Sequence, residues 1–339
     1  MEYFAFQWHI TDSCDQRCNH CYIFSEGHPR LIEMPLSRAE EVIRQCEEMC
    51  SRLARRPYFY ITGGDPILHR DFWTILGLLK DRDIPFTILG NPFHITDQVC
   101  RRLKDYGCVK YQLSIDGMRD THDAIRRPGS FDATLNAIDT LRRGDLRVAV
   151  MTTVSGTNIA EIPEIVDLVV KKGVGVFAFG RYCPTSDEKS TCISPDEYRD
   201  FLGAMWRKFE QYKDSGTTFN LKDHLWTLFL YEKGLFRIPP DSDADTIYDG
   251  CHCGDCHFTI LPDGDVMACR RFDSTVGNLF RTPLHSLWSG PEMERYRQFE
   301  KFEKCSRCEL MRFCRGCPAV SFGYHHSFYA PDPQCWKKV

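Results

Sequence analysis

The stretch TDSCDQRCNHCY, residues 11–22, places three cysteines within eight residues. Cys14, Cys18 and Cys21 form a C-x3-C-x2-C motif directly after the strand-like run FAFQWHI. Three thiolates this close together can bind three irons of a cubane cluster and leave the fourth iron without a protein ligand. Buried packing thiols are one alternative, and a zinc site completed by His20 is another. We favour the cluster, whose open iron would be a place for chemistry.

The first half of the chain alternates short apolar runs typical of strands with stretches typical of helices. This is the order of βα units around a parallel sheet, and it predicts an α/β fold. Six such runs indicate a partial barrel. The predicted strands are Phe4–Ile10, Tyr58–Ile61, Phe86–Leu89, Lys110–Ser114, Val148–Val154 and Val174–Phe179.

Glycine-rich and polar segments follow the predicted strands, at the edge where parallel βα folds bind ligands. The sequence GGDP at 63–66 follows the second strand. Its glycines allow a close backbone approach, and Asp65 can accept hydrogen bonds from an amino group, although GGDP alone is a commonplace turn. After the fourth strand come SIDG at 114–117 and then Arg126. The Ser114 hydroxyl and the Arg126 guanidinium could bind a carboxylate.

The length of 339 residues allows one large α/β domain and a smaller one. The predicted domains are residues 1–185, a helical bridge over 186–245, and a cysteine-rich region over 246–339. Two capping-box signatures, at Ser37 with Glu40 and at Ser194 with Glu197, predict the starts of helices.

The composition argues against several classes of protein. A net charge of -4 with no concentrated basic face disfavours a nucleic-acid partner. The N-terminus MEYFAFQWHI lacks the features of a signal peptide, and no apolar run reaches membrane-spanning length. We therefore expect a cytoplasmic protein with no membrane contact. Its 18 cysteines are then better interpreted as metal ligands and free thiols than as disulfides.

Nine cysteines crowd into residues 251–335. A hairpin turn at 262–265, with Gly264 in the demanding position, folds the first three of them back toward Cys269. A C-x2-C-x5-C-x2-C run follows, and Cys335 comes last. Two four-iron clusters need eight thiolates, so one cysteine is spare. A zinc ribbon built on the C-x2-C-x5-C-x2-C run is the alternative.

The cysteine triplet, GGDP, SIDG and the stretch from Thr153 to Asn158 together resemble the radical S-adenosylmethionine (SAM) superfamily over the first ~185 residues. The resemblance implies a (β/α)6 partial TIM barrel. It also implies that Cys14, Cys18 and Cys21 bind a [4Fe-4S] cluster, whose open iron is chelated by the amino and carboxylate groups of SAM.

The same resemblance implies which residues bind SAM. Asp65 and the two glycines before it would receive the methionyl amino group, and Ser114 with Arg126 the carboxylate. His20 stands where the family usually has an aromatic residue near the adenine. Arg127 replaces an expected glycine, so the choice between the two arginines stays open. The implied SAM-binding residues are His20, Gly63, Gly64, Asp65, Pro66, Ser114, Asp116 and Arg126.

The region from residue 246 onward is similar to the SPASM domain, a C-terminal extension of many peptide-modifying radical SAM enzymes. The resemblance implies two auxiliary [4Fe-4S] clusters. The second early ligand is either Cys253 or Cys256, and we favour Cys256 for its distance after Cys251. Between Cys314 and Cys317 one residue is missing relative to the family pattern, which bears on ligation by Cys317. The implied ligands are Cys251, Cys256, Cys269 and Cys317 for cluster I, and Cys305, Cys308, Cys314 and Cys335 for cluster II.

The resemblance implies a radical SAM enzyme that modifies a peptide or protein substrate. We expect maturation of a ribosomally made peptide by a thioether or carbon–carbon crosslink or by epimerisation, with a flavodoxin or ferredoxin as electron donor. The cluster motif begins at residue 14, so leader recognition would need the barrel, the bridge or a separate leader-binding protein. Cys183 is a candidate hydrogen-atom donor, and Arg270 a candidate for holding a substrate carboxylate.

Two alternatives stand beside this function. The first is sulfatase maturation, in which an acidic residue following the cysteine after the hairpin serves as the base. Here Arg270 occupies that place, and an arginine cannot act as a base at neutral pH. The second alternative is a non-catalytic iron–sulfur electron carrier, which would have no need of a SAM-binding residue set.

Overall fold

The structure is a computed structural model that describes residues 2–24, 31–184, 192–243 and 246–339. The chain divides into two compact units. The first unit contains residues 1–115, 122–150 and 253–297, and the second contains residues 116–121, 151–252 and 298–339. The predicted domain boundary at 185/186 lies outside the described residues, and so does residue 245 at the second boundary. The three-domain division stays a prediction.

A mainly parallel sheet forms the first unit. Its strands follow the order β10-β9-β8-β1-β2-β3-β4. Strand β1 pairs in parallel with β2 on one side and with β8 on the other. The strands are β1 (Tyr3–Thr11), β2 (Arg56–Gly63), β3 (Phe86–Leu89), β4 (Cys108–Ser114), β8 (His257–Ile260), β9 (Asp265–Met267) and β10 (Thr275–Asn278).

Strand β1 is an inner strand of this sheet because it pairs with a strand on each edge. It also has buried residues on both faces. Phe4, Phe6, Trp8 and Ile10 are fully buried on one face. The alternate residues are polar toward the end of the strand, and His9 among them is also buried. A strand with an apolar face and a polar buried face separates the hydrophobic core from a site for ligands.

The helices of the first unit follow its strands, as βα units require. Helix α1 begins at Leu36 after an extended Pro35, and its N-cap receives no side-chain hydrogen bond. The capping-box prediction at Ser37 is therefore wrong, because Ser37 lies inside the first turn. These helices are α1 (Leu36–Arg52), α2 (Phe72–Lys80), α3 (Asp97–Asp105), α5 (Ser130–Arg143), α9 (Leu284–Ser289) and α10 (Pro291–Glu294).

The second unit contains one parallel strand pair and several helices. Strand β6 (Val176–Arg181) pairs in parallel with β7 (Thr218–Asn220). Helix α7 begins with the predicted capping box, since Ser194 and Glu197 exchange side-chain and backbone hydrogen bonds. The helices are α6 (Ile162–Lys171), α7 (Pro195–Gln211), α8 (Leu225–Glu232) and α11 (Pro318–His325). Two elements have residues in both units, namely α4 (Arg119–Ile125) and β5 (Val148–Val154).

All six predicted strands are present as β1 to β6. Strand β6 starts at Val176, later than predicted, because Val174 takes part in the turn that caps helix α6 after Lys171. The Val174 amide donates to the Val169 carbonyl, and Gly173 has a positive φ of 61° that ends the helix. In the described part of the chain, no helix is long and apolar enough to cross a membrane.

Candidate functional site

The cysteine triplet lies in a loop that leaves the carboxyl end of β1. Hydrogen bonds join this loop to the segment between α4 and α5. The Gln16 side-chain nitrogen Nε2 donates to Ser130 Oγ at 2.8 Å, and the Asn19 backbone N–H donates to the Ile125 carbonyl at 2.9 Å. Arg127 Nη1 donates to the Asp15 carbonyl at 2.9 Å. The loop is thus positioned by tertiary contacts rather than by secondary structure of its own.

Hydrogen-bond donors approach the cysteine sulfurs. Asn91 Nδ2 lies 3.2 Å from Cys14 Sγ, and the backbone nitrogen of Gln16 lies 3.4 Å from the same sulfur. Arg126 Nη1 lies 3.9 Å from Cys18 Sγ. Burial raises the pKa of the Cys14 thiol, and the Gln16 and Asn91 donors oppose that effect because they stabilise a thiolate. Donors around sulfur suit cysteines that bind metal as thiolates.

The glycines of GGDP bring the end of β2 against the cysteine loop. The Gly64 amide donates to the Thr11 carbonyl, and the Asp65 amide donates to the Ser13 carbonyl, both at 2.7 Å. A Cβ on Gly64 would collide with the Ser13 carbonyl oxygen, and one on Gly63 would collide with that of Thr11. The close backbone approach that the sequence predicts is therefore made to the cysteine loop itself.

The Asp65 carboxyl group is fully buried. Its Oδ1 accepts a hydrogen bond from the Asn91 amide at 3.3 Å, whereas its Oδ2 has no partner in the residues that the structure describes. Burial, more than the nearby Asp15 charge, raises the pKa of Asp65 to about 7. An unpartnered carboxylate oxygen beside the cluster loop fits an N–H donor that enters with a ligand.

Two further groups surround this carboxyl group. One oxygen from Asp15, one from Asp65 and one ring nitrogen of His94 lie within 4.8 Å of one another. Asp15 accepts hydrogen bonds from Asn91 Nδ2 at 2.6 Å, and its other oxygen lies 3.1 Å from His94 Nε2. Sequence reasoning missed all three neighbours of Asp65, namely Asn91, Asp15 and His94. The carboxyl end of β3 was the available signal for Asn91 and His94, because ligands gather at strand ends.

The remaining implied SAM-binding residues have different surroundings. Ser114 ends β4 and is partly buried, as is His20 in the cysteine loop. Pro66 is buried at the start of a short 3-10 turn.

Asp116, in the second unit, accepts a hydrogen bond from the Thr153 backbone N–H at 2.8 Å. The backbone of Asp116 also accepts one from Asn158 Nδ2. These contacts explain why SIDG and the stretch to Asn158 occur together, and they make Asp116 a loop-positioning residue.

In the first unit, the predicted hairpin is present between two auxiliary cysteines, Cys256 and Cys269. Strands β8 and β9 pair antiparallel with Thr259 opposite Met267, and Gly264 in the turn has a φ of 89°. Burial and the adjacent Asp255 raise the pKa of the Cys256 thiol to about 12. The choice between Cys256 and Cys253 as the partner of Cys269 stays a prediction.

In the second unit, four cysteines form one group. Burial and then the nearby Cys335 and Cys308 raise the pKa of Cys305 to about 12. The pKa of Cys314 is raised by burial first and also by Cys335 and Cys305. Lys304 Nζ lies 3.4 Å from Cys335 Sγ. The structure thus brings together the four implied ligands of cluster II, with a cation beside them.

Cys317 belongs to different surroundings, although it lies three residues from Cys314. The His224 side chain contacts Cys251, and the pKa of His224 is raised through Cys251 and Cys317 in spite of its burial. Arg315, buried and with a positive φ of 79°, donates to the Cys251 carbonyl. Cys335 lies with Cys305 and Cys308, as the predicted cluster II requires, and the choice between that cluster and a zinc ribbon that includes Cys317 stays a prediction. Sequence reasoning missed His224, which carried no signal beyond standing before α8.

The two candidate catalytic residues lie in different units. Cys183 is buried in the second unit, two residues after β6 ends. Arg270 lies in the first unit, where its guanidinium stacks over the Tyr22 ring at 4.5 Å from the ring centroid. The Arg270 Nε atom is buried. Arg270 is therefore not the solvated surface arginine that its sequence position alone would favour.

Comparisons with known families match both parts of the chain. A family model described as the radical SAM superfamily matches residues 8–169. A second model, SPASM, described as an iron–sulfur cluster-binding domain, matches residues 251–318. The two matched regions contain the cysteine triplet and eight of the nine C-terminal cysteines.

Curated relatives align along almost the whole chain. The AdoMet-dependent heme synthase of Nitratidesulfovibrio vulgaris is 27% identical, over 97% of this chain and 90% of that protein. The mycofactocin maturase MftC of Mycobacterium tuberculosis is 26% identical, over 97% of this chain and 81% of that protein.

Solved structures share the fold. Streptococcus suis SuiB bound to S-adenosylmethionine superposes with a TM-score of 0.76 at 19% identity, over 98% of this chain and 77% of SuiB. The enzyme anSMEcpe with bound AdoMet superposes with a TM-score of 0.75 at 17% identity, over 98% of this chain and 93% of that protein. At these identities the likeness concerns the fold, and it confirms the predicted α/β class with a parallel sheet and a C-terminal cysteine-rich domain.

Proposed function

The chain is a radical SAM enzyme with a C-terminal SPASM domain, and we propose that it modifies a ribosomally made peptide. Radical SAM domains bind a [4Fe-4S] cluster together with SAM, and SPASM domains bind auxiliary iron–sulfur clusters. When bound and reduced, these cofactors supply a 5′-deoxyadenosyl radical that removes a hydrogen atom from an unactivated C–H bond. The non-catalytic electron carrier is thereby set aside.

The residues that support SAM binding surround the cysteine loop. Cys14, Cys18 and Cys21 would each bind one iron, with Asn91 and Arg126 donating toward two of the sulfurs. Asp65 would accept an N–H of the methionyl amino group at its unpartnered Oδ2. That buried, unpaired oxygen is the single observation on which the SAM assignment depends most, because a structural carboxyl group would have found a partner.

The protein's own task is to position the substrate and exclude water from the reacting atoms. His20, Ser114 and Arg126 would contact the rest of SAM. The auxiliary ligand sets remain those given above, with Cys256 preferred to Cys253. A flavodoxin or ferredoxin would supply the electron, and leader recognition would need the enzyme itself or a separate leader-binding protein.

The relatives support a peptide substrate. SuiB has been solved bound to its precursor peptide SuiA, and anSMEcpe with the Cp18Cys peptide. MftC is named a mycofactocin maturase. The formylglycine-forming alternative is less well supported, because Arg270 stands where those enzymes have the acidic base and its guanidinium stacks on Tyr22.

A second candidate substrate is an iron porphyrin. The observation that favours it is the set of curated relatives named AdoMet-dependent heme synthase and Fe-coproporphyrin III synthase. Peptides and porphyrins with propionate side chains share one chemical feature, a carboxylate on an otherwise bulky substrate.

The experiment begins with anaerobic reconstitution of the clusters, followed by dithionite and SAM. We expect 5′-deoxyadenosine from the wild-type protein and none from a variant with Cys14, Cys18 and Cys21 all replaced by alanine. A peptide encoded by a small open reading frame beside the gene is then added and followed by mass spectrometry. Loss of two hydrogens would indicate a crosslink, whereas unchanged mass with deuterium uptake from solvent would indicate epimerisation. A change in Fe-coproporphyrin III but not in the peptide would contradict the proposal in favour of the porphyrin.

A further inference from the structure

Four polar side chains of the first unit form a cluster that the SAM assignment does not use. Gln7 and His9 lie on the polar face of β1, Tyr22 follows the last cysteine of the triplet, and Arg270 follows Cys269. The rings of His9 and Tyr22 are 6.4 Å apart, and the Arg270 guanidinium lies 4.5 Å from the Tyr22 ring centroid. We call these four residues the β1 polar cluster.

The hydrogen bonds within the β1 polar cluster determine which ring nitrogen of His9 carries the proton. Gln7 Nε2 lies 3.4 Å from His9 Nε2 and 3.5 Å from Tyr22 Oη. With the Gln7 side-chain amide oriented so that its nitrogen faces both groups, His9 Nε2 is assigned as the acceptor and the proton of the neutral ring as lying on Nδ1. That Nδ1 is buried and has no hydrogen-bond partner in the described ranges.

Arg270 has a second buried donor without an acceptor. Its Nε is buried and unpartnered among the described residues, and none of them forms an ion pair with its guanidinium. The Arg270 charge acts to lower the pKa of Asp12. Asp12 Oδ2, however, accepts its hydrogen bond from the Ile32 backbone N–H. An arginine that served only to cover the Tyr22 ring would leave its Nε toward water, where the N–H is satisfied.

The charge of the cluster selects the kind of ligand. Burial first, and the Arg270 cation second, hold the pKa of His9 well below its usual value, so His9 stays neutral. The cluster therefore offers one fixed positive charge and two buried N–H donors. Buried donors without acceptors are unfavourable, and a carboxylate supplies both the negative charge and two acceptor oxygens.

We propose that Arg270 and His9 bind a carboxylate of the substrate beside the cysteine loop, with Tyr22 fixing the plane of the guanidinium. This inference rests on the proposed function, since it names the chemical group by which that substrate is held. The carboxylate belongs either to a peptide or to a porphyrin propionate, and the binding chemistry is the same for both.

The test measures binding, by anaerobic titration calorimetry on the cluster-loaded enzyme with SAM. Two probe pairs are used: Fe-coproporphyrin III with its tetramethyl ester, and N-acetyl-alanyl-alanine with its C-terminal amide. In at least one pair the wild type should bind the acid about tenfold or more tightly than its neutral partner. The pair that shows the preference identifies the source of the carboxylate.

The variant Arg270→Gln should abolish this preference and leave binding of the neutral partner unchanged. His9→Phe, which keeps a ring but loses the donor, should reduce the preference. Arg281→Gln removes an exposed arginine of the same unit and should behave as wild type. No preference in the wild type for either acid, or a full preference in Arg270→Gln, would overturn the proposal. A full preference in His9→Phe would remove His9 from the site.

Further measurements separate this result from loss of folding and from failure of the proposed function. Iron content and the midpoint of thermal unfolding should be equal in wild type and Arg270→Gln, and 5′-deoxyadenosine formation without added substrate is measured in the wild type. If the wild type forms no 5′-deoxyadenosine, the proposed function fails, while the binding preference still decides whether the carboxylate site exists.

Discussion

Asp65 combines full burial with one carboxylate oxygen that has no partner. Burial raises its pKa to about 7, so in the SAM-free protein the carboxyl group gains a proton as the pH falls through that value. An amino group that chelates iron keeps its N–H bonds as donors, and the charged carboxylate accepts them more strongly than the protonated acid does. Binding of SAM should therefore weaken progressively below about pH 7 and release a proton there.

We expect Asp65→Asn to weaken SAM binding at least about tenfold near pH 8 and to remove most of the pH dependence. Anaerobic calorimetry between about pH 8 and about pH 5.5 measures both effects. Asp81→Asn, at an exposed position after α2, is the matched control and should bind SAM as the wild type does. Equal affinity of Asp65→Asn and wild type would show that Asp65 does not bind the amino group.

A second prediction at the scale of single residues concerns Cys335 as a ligand of the predicted cluster II. Because it groups with Cys305, Cys308 and Cys314, replacing it by alanine should lower the iron content of the reconstituted protein by about four atoms per chain. Cys192→Ala, outside the implied ligand sets, should leave the iron content unchanged. A zinc ribbon that includes Cys317 instead would tolerate Cys335→Ala, and retained iron would support that alternative.

At the scale of elements, the end of β2 positions the cysteine loop. The Gly64 and Asp65 amides donate to the carbonyls of Thr11 and Ser13, and no room is left for a Cβ at Gly64. The parallel pairing of β1 with β2 brings these backbones together along the full length of both strands. The loop that carries the cysteines thus depends on the strand next to it.

Gly64→Ala should displace the loop and destabilise the protein by about 1–3 kcal/mol, with a loss of cluster loading. Iron content and thermal unfolding measure the two effects. Gly77→Ala in α2 is the control, because its Cβ would meet the Tyr106 ring at an ordinary 3.6 Å and a helical glycine gains from the change. Normal cluster loading in Gly64→Ala would mean that the loop is not held by this contact.

At the scale of the whole molecule, the second unit contains a buried ionic network. Arg181 at the end of β6 binds Asp223 at 2.8 Å and Asp332 at 2.6 Å, and Gln334 accepts a further hydrogen bond. Asp332 also accepts from the Cys317 amide at 2.7 Å. The network therefore joins the last strand of the βα series to the segment that carries auxiliary cysteines.

Asp332→Asn should lower the free energy of unfolding by about 3–5 kcal/mol, because it leaves Arg181 buried with less opposing charge. Asp145→Asn, which breaks an exposed pair with Lys104, should cost less than about 1 kcal/mol. Scanning calorimetry of the reconstituted protein compares the two. Equal, small losses would show that the network is not needed for stability.

The network also predicts an acid limit to stability. Burial opposes ionisation of Asp223, but the Arg181 cation outweighs it and holds the pKa of Asp223 below its usual value. A lowered pKa contributes stability above the ordinary pKa near 4, and that contribution is lost as the pH falls through the folded value. In mild denaturant, the free energy of unfolding should therefore fall more steeply with decreasing pH below about pH 4. The fall should be shallower in Asp223→Asn.

The sequence by itself determined the six βα strands, the hairpin at Gly264 and the cysteine motifs, because each depends on local periodicity or spacing. It did not predict that Gly64 packs on the cysteine loop, that Asn91, Asp15 and His94 surround Asp65, or that His224 contacts Cys251. Only the tertiary structure decided these, since pairing β1 between β2 and β8 joins residues far apart in the chain. For the same reason the sequence predicts a solvated surface arginine at position 270, whereas in the fold the Arg270 guanidinium stacks on Tyr22 and its charge acts on His9.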